Sequence, residues 1–330
     1  MRRRDCLAGL LAAPFLSRGA EAAPFPERPV TIVNGYPPGG STDISARLVA
    51  EGMMRSTGGQ RVLVENRPGA SGTVSADWLR RQAPDGYTIQ LSESSTFAIW
   101  PAMHQEGTKY DPLRDFDWVA TVCTSPLVFI VSPDFPAKTA KEAIEVLRSP
   151  RSADLGYSSS GAGSIPHIGC ELLRKTAASG NESRHVPYRG GAPAALAVSK
   201  GEVGWALASL GSAAGMIGGN LVRALAMTSA KRFPAFPDVP TFTEIGHPEM
   251  ELDIFYLTHA PAGLPPDVLR TLNQSSASGL ADPTLRSRFL TAGMDAWEGP
   301  NTPETTRAIV ETELKRFREI ASRTGIRIMG

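Results

Sequence analysis

Two segments of the sequence share one design: a short apolar run, then a cluster of glycine and hydroxyl residues, then the start of a helix. Residues 30–33 lead into Pro-Pro-Gly-Gly-Ser-Thr-Asp at 37–43, and residues 155–157 lead into Ser-Ser-Ser-Gly-Ala-Gly-Ser at 158–164. Glycines let the backbone approach a ligand closely, and a helix start presents unpaired N–H groups and the positive end of its dipole. One such loop alone would be explained by a capped strand-to-helix turn. Two of them predict two lobes that grip one carboxylate-bearing molecule.

The N-terminus has the pattern of an export signal. Three arginines at 2–4 precede an apolar stretch at 7–16 and the small-residue sequence Ala-Glu-Ala at 20–22. The apolar stretch is too short to span a bilayer. We expect cleavage after residue 22 and a periplasmic product, exported by either the Sec or the twin-arginine route.

Composition limits the class of partner. Residues 1–22 contain four arginines against two acidic residues, so cleavage changes the formal charge of +1 to −1. A nearly neutral chain lacks the basic surface that nucleic acid or an anionic membrane would need. Two cysteines remain after cleavage, Cys123 and Cys170; export permits a disulfide, but we favour a free, buried pair.

Short β-rich runs alternate with amphipathic helical stretches, which is typical of α/β units around largely parallel sheets. Strands are predicted at residues 30–33, 62–64, 87–91, 119–123, 127–131, 155–157, 185–186, 203–207, 222–227 and 254–257. Helices are predicted at 44–54, 74–81, 139–147, 167–176, 192–200 and 267–279, with further starts at Asp282-Pro283 and Thr302-Pro303, the last running to about Ser322. Ligands of such folds bind beyond the carboxyl ends of strands, so the cleft between lobes is the expected site.

No residue set for catalysis or for a cofactor stands out. The serines at 158–160 do not form a Gly-x-Ser-x-Gly elbow, and a histidine at a helix start, such as His167, is more typical of capping or packing. The five histidines show no metal-binding spacing, and no glycine run completes a nucleotide fingerprint. We therefore expect no enzyme activity, no metal and no cofactor.

Seven short blocks carry a family resemblance. They are YPPGGSTD at 36–43, VENRPGASG at 64–72, APDGYT at 83–88, YDPL at 110–113, HVPYRG at 185–190, DVPT at 238–241 and APAG at 260–263. In this order the sequence resembles the tripartite tricarboxylate transporter substrate-binding family, also called the Bug (Bordetella uptake gene) family, from about residue 25 to the C-terminus.

The resemblance implies an α/β solute-binding protein of the type II periplasmic-binding-protein (Venus flytrap) fold. After the signal peptide at 1–22, it implies a discontinuous first lobe at 23–122 and 229–330 and a second lobe at 123–228. The expected ligand is a small organic acid: a mono-, di- or tricarboxylate, an acidic amino acid or an aromatic acid. The expected partners are integral-membrane transporter subunits or a sensor, served by a monomer. The alternatives are a periplasmic enzyme on the same fold and the binding protein of an ATP-driven amino-acid or phosphonate importer.

The resemblance also implies that the two glycine and hydroxyl loops hold the ligand carboxylate through backbone N–H and hydroxyl groups. We expect glycine at position 40 because the backbone there approaches the ligand carboxylate closely and adopts a positive φ. The predicted ligand-binding residues are Tyr36, Pro38, Gly39, Gly40, Ser41, Thr42, Asp43, Ser94, Ser95, Thr96, Ser159, Ser160, Gly161, Gly163, Ser164, His167, Tyr188, Ala208 and Ser209.

Several residues depart from the family pattern and bear on the identity of the ligand. Tyr36 stands where the family commonly has Phe, and its hydroxyl could bond the ligand or reach water. Glu93 replaces a small hydroxyl residue: it either receives a ligand amino group or, as we favour, is a solvated carboxylate at a loop edge. Gly204 and Ala208 stand where acidic residues are frequent, so the second lobe is expected to lack one polar contact.

Overall fold

The structure is a computed structural model that describes residues 25–328. Its strands are β1 Val30–Asn34, β2 Val62–Asn66, β3 Thr88–Glu93, β4 Phe116–Val131, β5 Tyr157–Ser159, β6 His185–Pro187, β7 Trp205–Ser209, β8 Arg223–Met227, β9 Asp253–Pro261 and β10 Asp295–Ala296. Its α-helices are α1 Ser41–Ser56, α2 Thr73–Leu79, α3 Trp100–Met103, α4 Ala140–Arg148, α5 Ile165–Lys175, α6 Gly191–Ser199, α7 Leu210–Gly218, α8 Pro266–Leu280, α9 Pro283–Thr291 and α10 Pro303–Thr324. A π-helical turn, Ser95–Ile99, precedes α3.

The strands form a mixed arrangement in the order β2-β1-β3-β9-β4-β7-β5-β6, with β8 and β10 also paired to β4. The pairs of β1 with β2 and β3, and of β5 with β6 and β7, are parallel. Every pair that includes β4 or β9 is antiparallel. The expectation of largely parallel sheets was therefore wrong for the centre of the fold, because β9 and β4 lie side by side there.

Strand β4 connects two sheets. Up to Pro126 it pairs with β9, and from Leu127 it pairs with β7 and β8. The predicted strands 119–123 and 127–131 are thus one continuous strand, since a proline lacking an N–H is tolerated where one set of partners gives way to another. We call the sheet of β1, β2, β3, β9 and β10 the first sheet and that of β5, β6, β7 and β8 the second sheet.

Buried apolar residues fill both sides of this arrangement. One large cluster joins the first sheet to its helices and continues through β4 to α4 and α5, with Phe317, Phe97 and Trp205 among its fully buried members. A second cluster lies between α6, α7 and the other face of the second sheet, around Val128 and Phe233. Both cores hold the ends of their strands, and hence the loops beyond them, in fixed positions.

Local sequence signals account for most helix starts. Asp282 accepts hydrogen bonds from the N–H groups of Thr284 and Leu285, and Thr302 forms a capping box with Thr305. The predicted helix starts at Pro283 and Pro303 are confirmed. Helix α7 was missed, because glycines and alanines give Leu210–Gly218 no clear amphipathic pattern.

Cys123 and Cys170 are both free and buried, which confirms the preference for a free pair over a disulfide. Among residues 25–328, no helix is long and apolar enough to cross a membrane. The predicted signal peptide lies outside the described residues.

Candidate ligand-binding site

A narrow cleft lies between loops of the first and second sheets. One wall comes from the loop after β1, from Glu93 at the end of β3 and from Ile254 and Tyr256 on β9. The opposite wall comes from the loops after β5, β6 and β7. The lining residues are Tyr36, Pro37, Pro38, Gly40, Ser41, Thr42, Glu93, Ser160, Ile165, Pro166, Gly190, Gly191, Ala192, Pro193, Ser209, Ser212, Ile254 and Tyr256.

Four helices begin at this cleft: α1, α5, α6 and α7. The N-cap positions of α1, α6 and α7, which are Gly40, Gly190 and Ser209, make no side-chain capping bond. The first N–H groups of a helix lack intrahelical partners and carry the positive end of its dipole. The sequence predicted two anion cradles, at the starts of α1 and α5, whereas the structure brings four helix starts together: α1 on one wall and α5, α6 and α7 on the other.

Hydroxyl groups join the two walls. The Ser41 backbone N–H donates to Ser212 Oγ at 3.2 Å, and Ser41 Oγ lies 3.1 Å from Ser209 Oγ. Ser209 Oγ donates to Ser212 Oγ at 2.8 Å, and the Tyr256 hydroxyl donates to Ser41 Oγ at 2.8 Å. Gly191 is required beside this cluster, because a Cβ there would stand 2.3 Å from Ser212 Oγ. These groups can reorient to accept or donate toward a ligand.

Glu93 is the one charged residue among the described residues that line the cleft. It is 4% exposed, so the preferred expectation of a solvated loop carboxylate was wrong. Its Oε1 accepts a hydrogen bond from the Tyr36 hydroxyl, and its Oε2 accepts from the Ser95 N–H at 2.8 Å. The Tyr36 hydroxyl, which the sequence assigned to ligand or water, is thus held by Glu93.

Burial dominates the electrostatics of this pair. It raises the pKa of Glu93 above its usual value, although the Ser95 N–H and the Tyr36 hydroxyl both favour the ionised carboxylate. Burial and the nearby Glu93 charge together raise the pKa of Tyr36 well above its usual value. Tyr36 is therefore a neutral hydrogen-bond donor at physiological pH.

Asp43 stabilises the glycine-rich loop after β1 through hydrogen bonds outside the cleft lining. It is buried, its carboxylate forms a bidentate pair with Arg47, and it accepts hydrogen bonds from Asn66 and from the Gly39 N–H. Burial opposes ionisation, but these bonds lower the pKa of Asp43 below its usual value. The glycine that needs a positive φ is Gly39, at 90°, whereas Gly40 has an extended φ of −86°. The expectation of a positive φ at Gly40 was wrong.

The structure distributes the predicted site residues over three places. Tyr36, Pro38, Gly40, Ser41, Thr42, Ser160 and Ser209 line the cleft. Gly161 and Tyr188 line an adjoining outer cavity, which shares Tyr36, Pro37, Ser160 and Gly190 with the cleft. The others line neither, and their direct contact with a ligand stays a prediction: Gly39, Asp43, Ser94, Ser95, Thr96, Ser159, Gly163, Ser164, His167 and Ala208.

Several residues of this last group have clear structural roles. Ser164 caps α5 by accepting from the His167 N–H, and His167 Nδ1 accepts from the Gly163 N–H at 3.1 Å. Ser95 Oγ accepts from the Ile165 N–H at 2.8 Å and so connects the two walls. His167 thus has the capping role that the sequence indicated for a histidine at a helix start.

A serine and a histidine do come into contact beneath the second loop. Ser159 Oγ lies 2.7 Å from His185 Nε2, and the His185 ring stacks on His167 with ring centres 4.1 Å apart. Burial lowers the pKa of His185 to about 4 and lowers that of His167. Ser159 is 1% exposed and lines neither cavity, so a substrate in the cleft does not reach it. No group of three potential metal ligands occurs among residues 25–328.

After β6 and β7 the sequence predicted Tyr188 and Ser209, but residues 190–193 and Ser212, which also line the cleft, were missed. Gly190-Gly191-Ala192-Pro193 repeats the strand, glycine pair and helix design of the first loop, and Ser209-Leu210-Gly211-Ser212 is a shorter version of it. Both glycine and hydroxyl clusters are shorter than the two at 37–43 and 158–164. Ile254 and Tyr256 gave no such signal, because they lie within a strand.

A model of the tripartite tricarboxylate transporter family receptor matches residues 45–326. The chain belongs to this family. A UPF0065 protein from Bordetella pertussis is 32% identical over 327 residues, which are 99% of this chain and 97% of that relative. Protein BugT from the same organism is 30% identical, over 95% of this chain and 96% of its own length.

Solved structures of similar proteins share the fold. The periplasmic binding protein BugD superimposes with a TM-score of 0.86 and 31% identity, covering 93% of this chain and all (100%) of that one. MatC from Rhodopseudomonas palustris, solved with bound malate, superimposes with a TM-score of 0.84 and 28% sequence identity. The match covers 90% of this chain and 99% of MatC. A second R. palustris protein, Rpa4515 with adipate, superimposes with a TM-score of 0.87 and 29% sequence identity. The match covers 93% of this chain and 100% of that one. The predicted α/β periplasmic-binding-protein fold is confirmed, and the chain is a solute-binding protein of this family.

Proposed function

We propose that the chain captures a small organic carboxylate in the cleft and delivers it to the membrane subunits of a tripartite tricarboxylate-type transporter or reports it to a sensor. The observation that carries this proposal is the convergence of four helix N-termini on a cleft whose described lining includes no lysine, arginine or histidine. Helix N-termini bind carboxylates without the desolvation penalty of a buried cation. The malate and adipate of the two R. palustris structures are ligands of this class.

The proposal includes the compartment, the oligomeric state and the division into lobes. The receptor acts in the periplasm as a monomer, after removal of residues 1–22, with a mature N-terminus near Ala23. Its first lobe comprises residues 23–122 and 229–330, and its second lobe residues 123–228. The passage of β4 from one sheet to the other near Pro126, and the end of β8 at Met227, support boundaries in these regions.

We further propose that the chain has no catalytic turnover. The contact of Ser159 with His185 is buried away from the cleft, and both stacked histidines have lowered pKa values. Ligand recovered unchanged by mass spectrometry after long incubation is the expected result. Conversion beyond one equivalent that disappears in Ser159→Ala would contradict this.

Thermal unfolding with a panel of mono-, di- and tricarboxylates, acidic amino acids and aromatic acids tests the binding function. A ligand at 100 times its Kd stabilises the protein by about 2.7 kcal/mol. Ser160 lines both cavities. Ser160→Val should weaken carboxylate binding by about 1–3 kcal/mol, because it leaves part of the anion unpaired.

Gly40→Val provides a second variant. A Cβ at Gly40 meets no atom closer than 3.7 Å and the backbone there is extended, so the fold tolerates the change while the side chain fills the cleft. Ser287→Val, on the exposed face of α9, is the matched control and should bind normally. Full-affinity binding in both cleft variants would place the ligand elsewhere.

A further inference from the structure

Glu93 offers the cleft hydrogen-bond acceptors that a ligand bearing only carboxylate groups does not use. Its carboxylate has about four acceptor positions, of which the Tyr36 hydroxyl and the Ser95 N–H occupy two. The side chain still lines the cleft although it is 96% buried, the complement of its 4% exposure. Acceptor capacity therefore remains on the side of the ligand.

The charges that surround Glu93 do not balance it. The titratable groups that face it are the phenols of Tyr36, Tyr110 and Tyr256, all neutral with raised pKa values. No cationic side chain lines the described cleft. A buried carboxylate with no cation beside it either takes up a proton or acquires a positively charged partner. A ligand that carries a cation would supply that partner and keep Glu93 ionised.

We propose that the ligand is a zwitterion, with one carboxylate at the helix N-termini and a protonated amino group that donates to Glu93. This inference rests on the proposed function. A second ligand carboxylate at Glu93 would bring two anions together in a buried site, which is unfavourable. An ammonium group there neutralises Glu93 and completes its hydrogen bonds.

The position of Tyr36 supports the same ligand. Its hydroxyl donates to Glu93 Oε1 and so fixes the carboxylate in one orientation, while the Ser95 N–H donates to the second oxygen, Oε2. Burial raises the pKa of Glu93, and a neighbouring ammonium group acts in the opposite direction. Binding of the amine and ionisation of Glu93 therefore reinforce each other.

Titration calorimetry at neutral pH with length-matched pairs tests the proposal. The pairs are β-alanine and malonate, 4-aminobutyrate and succinate, and 5-aminopentanoate and glutarate. In the unaltered protein, the amino member of at least one pair should bind about 10- to 100-fold more tightly than its dicarboxylate, as expected for a charge-assisted hydrogen bond. Equal or tighter binding of the dicarboxylate in every pair would overturn the proposal and leave the proposed function standing.

Glu93→Gln keeps the size and removes the charge. It should lose about 10- to 100-fold in affinity for the amino ligand and gain affinity for the dicarboxylate. Glu313→Gln is the control, since Glu313 is also buried but bonds Ser94 and Arg316 outside the cleft lining. It should keep the preference of the unaltered protein. Absence of binding by all six compounds would overturn both this proposal and, if the wider carboxylate panel also fails, the proposed function.

Discussion

The buried polar residues of this protein differ in whether their side chains have hydrogen-bond partners. Asp43 is fully engaged in hydrogen bonds, as buried charges normally are, and each oxygen of Glu93 has one partner. His259 differs: it is 1% exposed, and neither ring nitrogen has a hydrogen-bond partner among residues 25–328. Its ring lies between Phe116 and Trp118, with centres 4.6 and 4.8 Å away. The imidazole is therefore packed as an aromatic ring.

This packing predicts a pH-dependent stability. Burial lowers the pKa of His259 to about 3, so below the usual value of 6.5 the unfolded chain binds a proton that the folded chain does not. The free energy of unfolding should fall by about 1.4 kcal/mol per pH unit from this residue as the pH drops from 6.5 toward 3. Urea unfolding at pH 7, 6 and 5 measures this, and His259→Leu should show a shallower decline. Parallel curves for the two proteins would contradict the prediction.

At the scale of elements, close helix packing fixes the wall that carries the first loop. Helices α1 and α8 touch at two glycines: a Cβ on Gly279 would stand 2.6 Å from the Gly52 Cα, and one on Gly52 would stand 2.8 Å from the Gly279 Cα. Backbone atoms cannot move aside as a flexible side chain can. Helix α1 therefore holds its N-terminus, and with it Ser41 and Thr42, at a distance from α8 that only glycine permits.

Gly279→Ala should lower the free energy of unfolding by about 1–3 kcal/mol, because the methyl group forces the two helices apart. Gly215→Ala in α7 is the matched control, since a Cβ there meets no atom within 4 Å. The control should stabilise the protein by up to about 1 kcal/mol, as alanine normally does in a helix. Chemical denaturation of both variants measures the difference, and equal effects would exclude tight packing of α1 on α8.

For the whole molecule, the structure has its two walls in direct contact. Ser71 Oγ donates to the Ala162 carbonyl at 2.9 Å, the Ile165 N–H donates to Ser95 Oγ, and Lys175 Nζ donates to the Thr324 carbonyl at 2.6 Å. These few polar contacts, together with the serine cluster around Ser41, hold the cleft closed. Such a small set is consistent with an equilibrium that a ligand shifts toward the closed arrangement.

We expect small-angle scattering of the ligand-free protein to give a larger radius of gyration than that calculated for this closed arrangement. Adding a carboxylate that binds should reduce it, because the ligand contacts both walls. Gly40→Val should show no such compaction, since its side chain occupies the cleft. An unchanged radius on saturation of the unaltered protein would mean that closure does not depend on the ligand.

Much of the architecture could be predicted because its causes are local. The starts of α9 and α10 follow from Asp282-Pro283 and Thr302-Pro303, and the first glycine loop was correctly placed before α1. Capping, φ restriction by proline and periodic apolar residues act within a few positions of the chain, so the sequence carries them directly.

The sequence by itself determined the α/β pattern, the approximate positions of most helices and the glycine-rich loop after β1. Only the tertiary structure decided that Glu93 is buried beside Tyr36, 57 positions away, and that Ser41 meets Ser209 and Ser212 across 168 and 171 positions. It also decided that the helices after β6 and β7 begin at the same cleft. The physical reason is that these groups meet through strand order and the approach of two walls, which no run of neighbouring residues encodes.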